Sequence, residues 1–168
     1  MARSEARKLL ATLGDAHPNI GRTAARGILG VKSSLNSRLV VQGLREIYER
    51  DPLRFRFTLK WVPIDTWTTS DLEAMRAEVA KLRVAILPGE WWRATLEKRR
   101  YTLLHKAEII ASLAELIDDK VDLKHPDKIL RVEIIGRHAG MAILTPIDVF
   151  STAKPYLEGA SDVVRLES

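Results

Sequence analysis

The stretch that most constrains the fold covers residues 91–123, where a strand, a group of cations and an amphipathic helix follow one another directly. Polar and apolar residues alternate over 91–97, which is the pattern of a half-buried strand. The cations that follow, here called the basic cluster, are Lys98, Arg99 and Arg100. Apolar residues then recur at helical spacing from Leu104 to Ile117. The basic cluster therefore lies between a strand and a helix N-terminus, a position that favours phosphate.

The first sixty residues predict the order helix, strand, strand, helix, strand. The predicted ranges are 4–13, 20–23, 28–33, 36–50 and 54–62. A polar residue at 36 or 37 caps the second helix, and Gly43 inside it indicates a close packing contact, because glycine costs about 1 kcal/mol relative to alanine there. Arg56 and Lys60 alternate with apolar residues in the last strand, so we expect both to lie on one polar face.

Downstream, the pattern predicts an irregular linker over 63–69, a helix starting at a capping box formed by Ser70 and Glu73, and a hairpin. The remaining strands are predicted over 121–123, 129–135 and 141–144. A five-residue loop with two glycines, 136–140, joins the hairpin strands and contains Arg137 and His138. This loop is either a plain turn that needs glycine for positive φ, or a loop that binds a phosphate backbone.

Composition limits the classes of protein that fit. The chain has 168 residues, 27 Lys+Arg against 22 Asp+Glu, and 46% hydrophobic residues, so we expect a packed core and a surface that suits a polyanion without requiring one. The absence of cysteine excludes disulfides, a thiolate nucleophile and iron–sulfur or zinc-ribbon sites. No apolar run approaches the roughly 20 residues of a membrane span. We therefore expect a soluble cytoplasmic protein without a membrane partner.

No pattern of catalytic, cofactor-binding or metal-binding residues is recognisable. The four histidines do not pair at metal-ligand spacing, and neither a dinucleotide-binding nor a phosphate-loop glycine pattern occurs. Asp122 and Asp127 have no partner base and are interpreted as turn residues. We expect no metal, no cofactor and no catalysis by this chain. A small enzyme acting on an anionic nucleotide at the basic cluster is kept as an alternative.

The cations and the tryptophans each have two interpretations. The basic cluster and Lys106, which follows it on the helix, either are solvated charges or bind RNA phosphates beside Tyr101 and His105. The four tryptophans are core residues or base-stacking platforms, and the first is the commoner role at such positions. These tryptophans are Trp61, Trp67, Trp91 and Trp92.

Four segments together resemble a THUMP domain, an RNA-binding module of tRNA-modifying proteins. They are the EKRR run at 97–100, the KAEII run at 106–110, the VDLKHPD run at 121–127 and the VEIIG run at 132–136. The resemblance covers residues 55–153. It implies an α/β (α+β) fold with a reduced ferredoxin-like unit over 1–62 that lacks its first strand. A THUMP domain with a mixed sheet flanked by helices follows over 63–153, and a tail over 154–168.

The resemblance also implies a function. THUMP domains recognise the acceptor stem and 3′ CCA end of tRNA, and the residues expected to contact RNA are Lys98, Arg99, Arg100, Lys106, Arg137, His138, Arg56 and Lys60. Because only 154–168 follow the fold, we expect the catalytic domain on another polypeptide. A THUMP protein of this kind resembles the adaptors that present tRNA to an RNA cytidine acetyltransferase, which forms 4-acetylcytidine. The alternative is a subunit of another tRNA-modifying enzyme, a methyltransferase or a thiolation enzyme.

Overall fold

The computed structural model describes residues 1–153, which form two compact units. One unit comprises Met1–Pro63 and the described residues from Ile147 onward, and the other comprises Ile64–Pro146. In chain order the elements are α1 (Ala2–Leu13), β1 (Asn19–Arg22), β2 (Leu29–Lys32), α2 (Ser37–Arg50), β3 (Lys60–Trp61), β4 (Thr66–Thr69), α3 (Leu72–Leu82), β5 (Trp92–Arg99), α4 (Lys106–Ala114), β6 (Lys128–Ile135), β7 (His138–Leu144) and β8 (Phe150–Ser151). The predicted α+β class is confirmed. The tail predicted over 154–168 lies outside the described residues.

The first unit has the predicted order of helices and strands. Its strands form two separate ladders, β1 antiparallel to β2 and β3 antiparallel to β8. Asn36 caps α2 by accepting hydrogen bonds from the N–H groups of Arg38 and Leu39. A Cβ on Gly43 would lie 2.5 Å from Leu13 Cδ2, which confirms the predicted close contact and brings α1 against α2.

The strand predicted over 54–62 is wrong except at its end. Pro52–Arg54 form a 3-10 turn, and only Lys60–Trp61 pair as a strand. The Glu5 carboxylate of α1 accepts hydrogen bonds from the N–H groups of Arg56, Phe57 and Thr58. Those N–H groups are therefore satisfied by a side chain and do not form a ladder. Arg56 and Lys60 consequently do not share a strand face.

The second unit is a four-stranded mixed sheet in the order β4-β7-β6-β5, covered on one face by α3 and α4. β5 runs parallel to β6, and the other pairs are antiparallel. Because strand residues alternate between faces, Leu130, Val132 and Ile134 of β6 face the helices and pack in the core with Trp92. The opposite face of β6 is buried too, and it contains the charged residues Arg131 and Glu133.

Three predictions for this unit need correction. The linker predicted over 63–69 contains β4, which pairs with β7 at the sheet edge. The N-cap of α3 is Asp71, whose carboxylate accepts from the N–H of Ala74, because the Ser70 hydroxyl donates instead to the carbonyl of Gly136. The hairpin turn is only two residues long, Gly136 and Arg137, since β7 begins at His138.

The VDLKHPD run forms a turn rather than a strand. Val121 makes a single bridge to Trp92, and Asp122 accepts hydrogen bonds from the N–H groups of Lys124 and His125. These two hydrogen bonds hold the pKa of Asp122 below its ordinary value. Asp127 accepts a hydrogen bond from the N–H of Trp91 at 2.8 Å, so the interpretation of both aspartates as turn residues is confirmed. None of the described helices is both long and apolar enough to cross a membrane.

Candidate nucleic-acid interface

The strand register brings the basic cluster and the hairpin turn to one edge of the sheet. Arg99 at the end of β5 pairs with Ile135, and Ile135 pairs with His138 at the start of β7. The N–H of Gly136 donates to the carbonyl of Arg99 over 2.8 Å, which closes this edge. Neighbouring strands lie about 4.8 Å apart, so cations on β5 and β7 are separated by roughly 10 Å along the edge. The candidate residues predicted from two separate motifs therefore form one surface.

Arg100 is at the apex of this surface, in a left-handed backbone conformation. Its φ is 59°, and it is the one non-glycine residue with positive φ in the described part of the chain. Such a conformation costs an L-residue about 1–2 kcal/mol. The turn returns the chain to the core at Tyr101, where burial raises the pKa of the phenol. The Arg100 side chain is left exposed.

Arg99 is partly neutralised by a buried carboxylate. Its Nη1 lies 2.9 Å from Glu133 Oε2, and the other oxygen of Glu133 lies 3.0 Å from Arg131 Nη2. Arg131 is only 1% exposed, so Glu133 bridges one buried and one half-exposed guanidinium. One carboxylate between two guanidinium groups leaves one net positive charge. This network fixes Arg99 in place, and its direct contribution to an anion site is smaller than that of an unpaired cation.

Lys106 also has an acidic neighbour. Its Nζ lies 3.8 Å from Glu97 Oε2, with both side chains about half exposed, and exposed pairs of this kind contribute little to stability. In the first turn of α4, Glu108 accepts a hydrogen bond from the N–H of His105. The N-terminus of α4 is thus partly satisfied by the protein's own carboxylate.

The remaining cations at this edge have no acidic partner. Within the described residues, no carboxylate lies within 4 Å of Lys98, Arg100 or Arg137. Lys98 Nζ is 5.9 Å from the centroid of the Tyr101 ring, and the N–H of Ser70 donates to the carbonyl of Arg137 over 2.9 Å. Ordered backbone and aromatic neighbours therefore hold these cations at one edge. We call Lys98, Arg100 and Arg137 the free edge cations.

Two of the predicted RNA-contacting residues are not part of this edge. Arg56 and Lys60 belong to the first unit, where Arg56 is exposed in the irregular segment tied to Glu5, and Lys60 begins β3. Their contact with RNA stays a prediction. His138, by contrast, is exposed at the start of β7, opposite Thr69 of β4, and lies on the edge.

The tryptophans have different environments. Trp92 is 2% exposed and donates from Nε1 to the carbonyl of Asp119, so its interpretation as a core residue is confirmed. The same interpretation is wrong for Trp91 and Trp67, which are 43% and 52% exposed. Lys120 lies 5.5 Å from the Trp91 ring centroid, and Trp67 covers Gly140, whose added Cβ would lie 3.0 Å from the indole.

The sequence analysis missed Arg131 and Glu133, which position Arg99. Two charged residues at alternating positions in an otherwise apolar strand were the available signal, because charges are buried only when they are paired. In residues 1–153, no group of three or more histidine, aspartate or glutamate side chains is arranged to hold a metal ion.

Comparison with known proteins identifies the fold. No protein-family profile matches the sequence, and no curated protein matches it. Among solved structures, PH1313 from Pyrococcus horikoshii OT3 aligns with a TM-score of 0.62 and 17% identity, over 85% of this chain and 48% of that protein. TrmN from Thermus thermophilus aligns with a TM-score of 0.55 and 15% identity, over 87% of this chain and 43% of that protein. The fold is THUMP-like. This chain spans about half the length of each of these two proteins.

Proposed function

We propose that this protein binds tRNA through the sheet edge that carries the free edge cations. The observation that supports the proposal is the convergence of Lys98, Arg100 and Arg137 on one edge, without a carboxylate within 4 Å of any of them among the described residues. Proteins contact structured RNA mostly through its shape and backbone, for which cations at fixed spacing are suited. Arg99, Lys106 and His138 add charge and hydrogen-bond donors around them.

We propose further that the protein is a non-catalytic adaptor. It recognises the acceptor stem and 3′ CCA end and presents the tRNA to an RNA cytidine acetyltransferase that forms 4-acetylcytidine. Support for this finer assignment comes from the resemblance of the sequence motifs to the THUMP adaptors. Arg56 and Lys60 of the first unit extend the proposed RNA contact. The protein acts in the cytoplasm on this proposal.

Two other functions are separable by experiment. The protein is a subunit of a tRNA methyltransferase or thiolation enzyme if such an enzyme, rather than an acetyltransferase, co-purifies with it from native cells. It is a small enzyme if the purified chain turns over a nucleotide. The likeness to TrmN, at 15% identity, is a likeness of fold and does not choose between these functions.

The experiment that tests the proposal measures the affinity of the purified protein for tRNA transcripts by fluorescence anisotropy. Removal of the 3′ CCA should weaken binding more than a change in the anticodon arm. A matched transcript with an altered anticodon arm is the control for RNA length. Equal binding of tRNA and of an unstructured RNA of the same length would contradict tRNA recognition, and a stronger effect of the anticodon arm would contradict recognition of the acceptor end.

A further inference from the structure

The first unit contains an open cavity on the surface of α1 that the tRNA-binding edge does not include. Its volume is about 500 Å³, within the range of small-ligand sites. The lining residues are Met1, Ser4, Glu5, Lys8, Leu9, Arg54 and Phe57. Leu9 is only 1% exposed and belongs to the core of this unit, so the cavity lies over ordered structure.

A carboxylate fixes an exposed aromatic ring at the wall of this cavity. The N–H of Phe57 donates to both oxygens of Glu5, at 3.1 and 3.2 Å, and the Thr58 N–H and hydroxyl donate to the same carboxylate. Burial opposes ionisation of Glu5, but these hydrogen bonds and one from Arg56 outweigh it and lower its pKa. The segment is therefore held through its backbone, while the Phe57 ring stays 46% exposed.

The other polar wall residues are mostly cationic. Lys8 and Arg54 line the cavity, and Arg54 Nη2 donates to Thr12 Oγ1 over 2.9 Å, which orients its guanidinium. Glu5 is the one acidic lining residue, and its charge is already engaged by the donors of the 56–58 segment. The wall therefore combines a flat apolar ring with two positive charges and the Ser4 hydroxyl.

We propose that this cavity receives one unpaired nucleotide of a bound RNA, with the base stacked on Phe57 and the phosphate bound by Lys8 and Arg54. Stacking of a base on an aromatic side chain is independent of sequence and is the usual way in which proteins bind single-stranded RNA. A guanidinium and an ammonium group are the usual phosphate ligands. The inference rests on the proposed RNA-binding function and adds a second contact site to it.

The test compares Phe57→Leu and Phe57→Tyr with the wild type, using a single-stranded RNA tetranucleotide and a blunt RNA duplex as probes. Phe57→Leu should weaken tetranucleotide binding by about tenfold and leave duplex binding unchanged, since one base stack is lost. Phe57→Tyr retains the ring and should bind like the wild type. Leu59→Ala, which shortens an exposed apolar side chain two positions away, is the matched control and should have no effect.

Two further measurements decide the outcome. Lys8→Gln should lower the slope of log affinity against log salt for the tetranucleotide by nearly one unit. The inference is overturned if Phe57→Leu, shown by urea denaturation to be folded, binds the tetranucleotide like the wild type, or if an acidic peptide competes for the site better than the RNA does. If Phe57→Leu has no effect while substitution of the free edge cations abolishes tRNA binding, this inference fails and the proposed function stands.

Discussion

Replacement of Arg100 by glycine separates the RNA contact of this residue from its effect on the fold. Glycine adopts positive φ without a penalty, whereas an L-residue pays about 1–2 kcal/mol for a conformation such as the φ of 59° at Arg100. Glycine also loses roughly 0.5–1 kcal/mol more chain entropy on folding. The difference predicts that Arg100→Gly stabilises the protein by about 0.5–1 kcal/mol. For a chain of this size, that corresponds to a rise in melting temperature of about 1–3 °C.

The same substitution should weaken tRNA binding. Loss of one phosphate contact lowers the slope of log affinity against log salt by nearly one unit, which corresponds to roughly fivefold weaker binding at ~0.15 M salt. The assay is fluorescence anisotropy of a labelled tRNA transcript at several salt concentrations, with melting temperature measured by circular dichroism. Arg100→Lys retains the charge and should keep most of the affinity.

Lys124→Ala is the matched control, because it removes an exposed cation from the VDLKHPD turn beside the start of β5. We expect it to change the affinity much less than Arg100→Gly. The reasoning is refuted if Arg100→Gly is as stable as predicted but binds tRNA with the affinity and salt dependence of the wild type.

Two further predictions concern stability. Trp92→Ala removes a side chain that is 2% exposed, together with its hydrogen bond to the carbonyl of Asp119, and should lower the free energy of unfolding in urea by about 3–5 kcal/mol; a loss no larger than that of Trp91→Ala would show that Trp92 is not a core residue. Because the folded-state pKa of Glu5 is lowered, its ionised form contributes stability fully above its ordinary value of 4.5, and that contribution is lost as the pH falls through the lower folded pKa. Between about pH 5 and pH 3, the melting temperature of the wild type should therefore fall more steeply than that of Glu5→Gln, and parallel curves would contradict this role.

The elements with clear periodicity were predictable from the sequence. β5, α4 and the strands of the hairpin follow alternating or helical apolar patterns, which depend only on neighbours along the chain. The segment 54–62 alternates equally well, yet most of it is not a strand, because a carboxylate about fifty positions earlier takes its N–H groups. β4 was missed for the complementary reason, since a short edge strand is defined by its pairing with β7 and has little pattern of its own.

For the candidate site, the sequence predicted the residues but not their arrangement. The basic cluster and the hairpin turn were identified separately, and their meeting at one edge depends on the register of β5, β6 and β7. The pairing of Arg99 with Glu133 depends on the same register, because these residues are 34 positions apart in sequence. Distinguishing paired from unpaired cations therefore required the structure.

The salt dependence of tRNA binding by a variant without the free edge cations tests the central claim most directly. The variant combines Lys98→Ala, Arg100→Gly and Arg137→Ala, and its fold is checked by circular dichroism. If these side chains bind phosphates, the slope of log affinity against log salt should fall by about two to three units, with a matching loss of affinity at low salt. A folded variant with the slope and affinity of the wild type would contradict the claim that this edge binds tRNA.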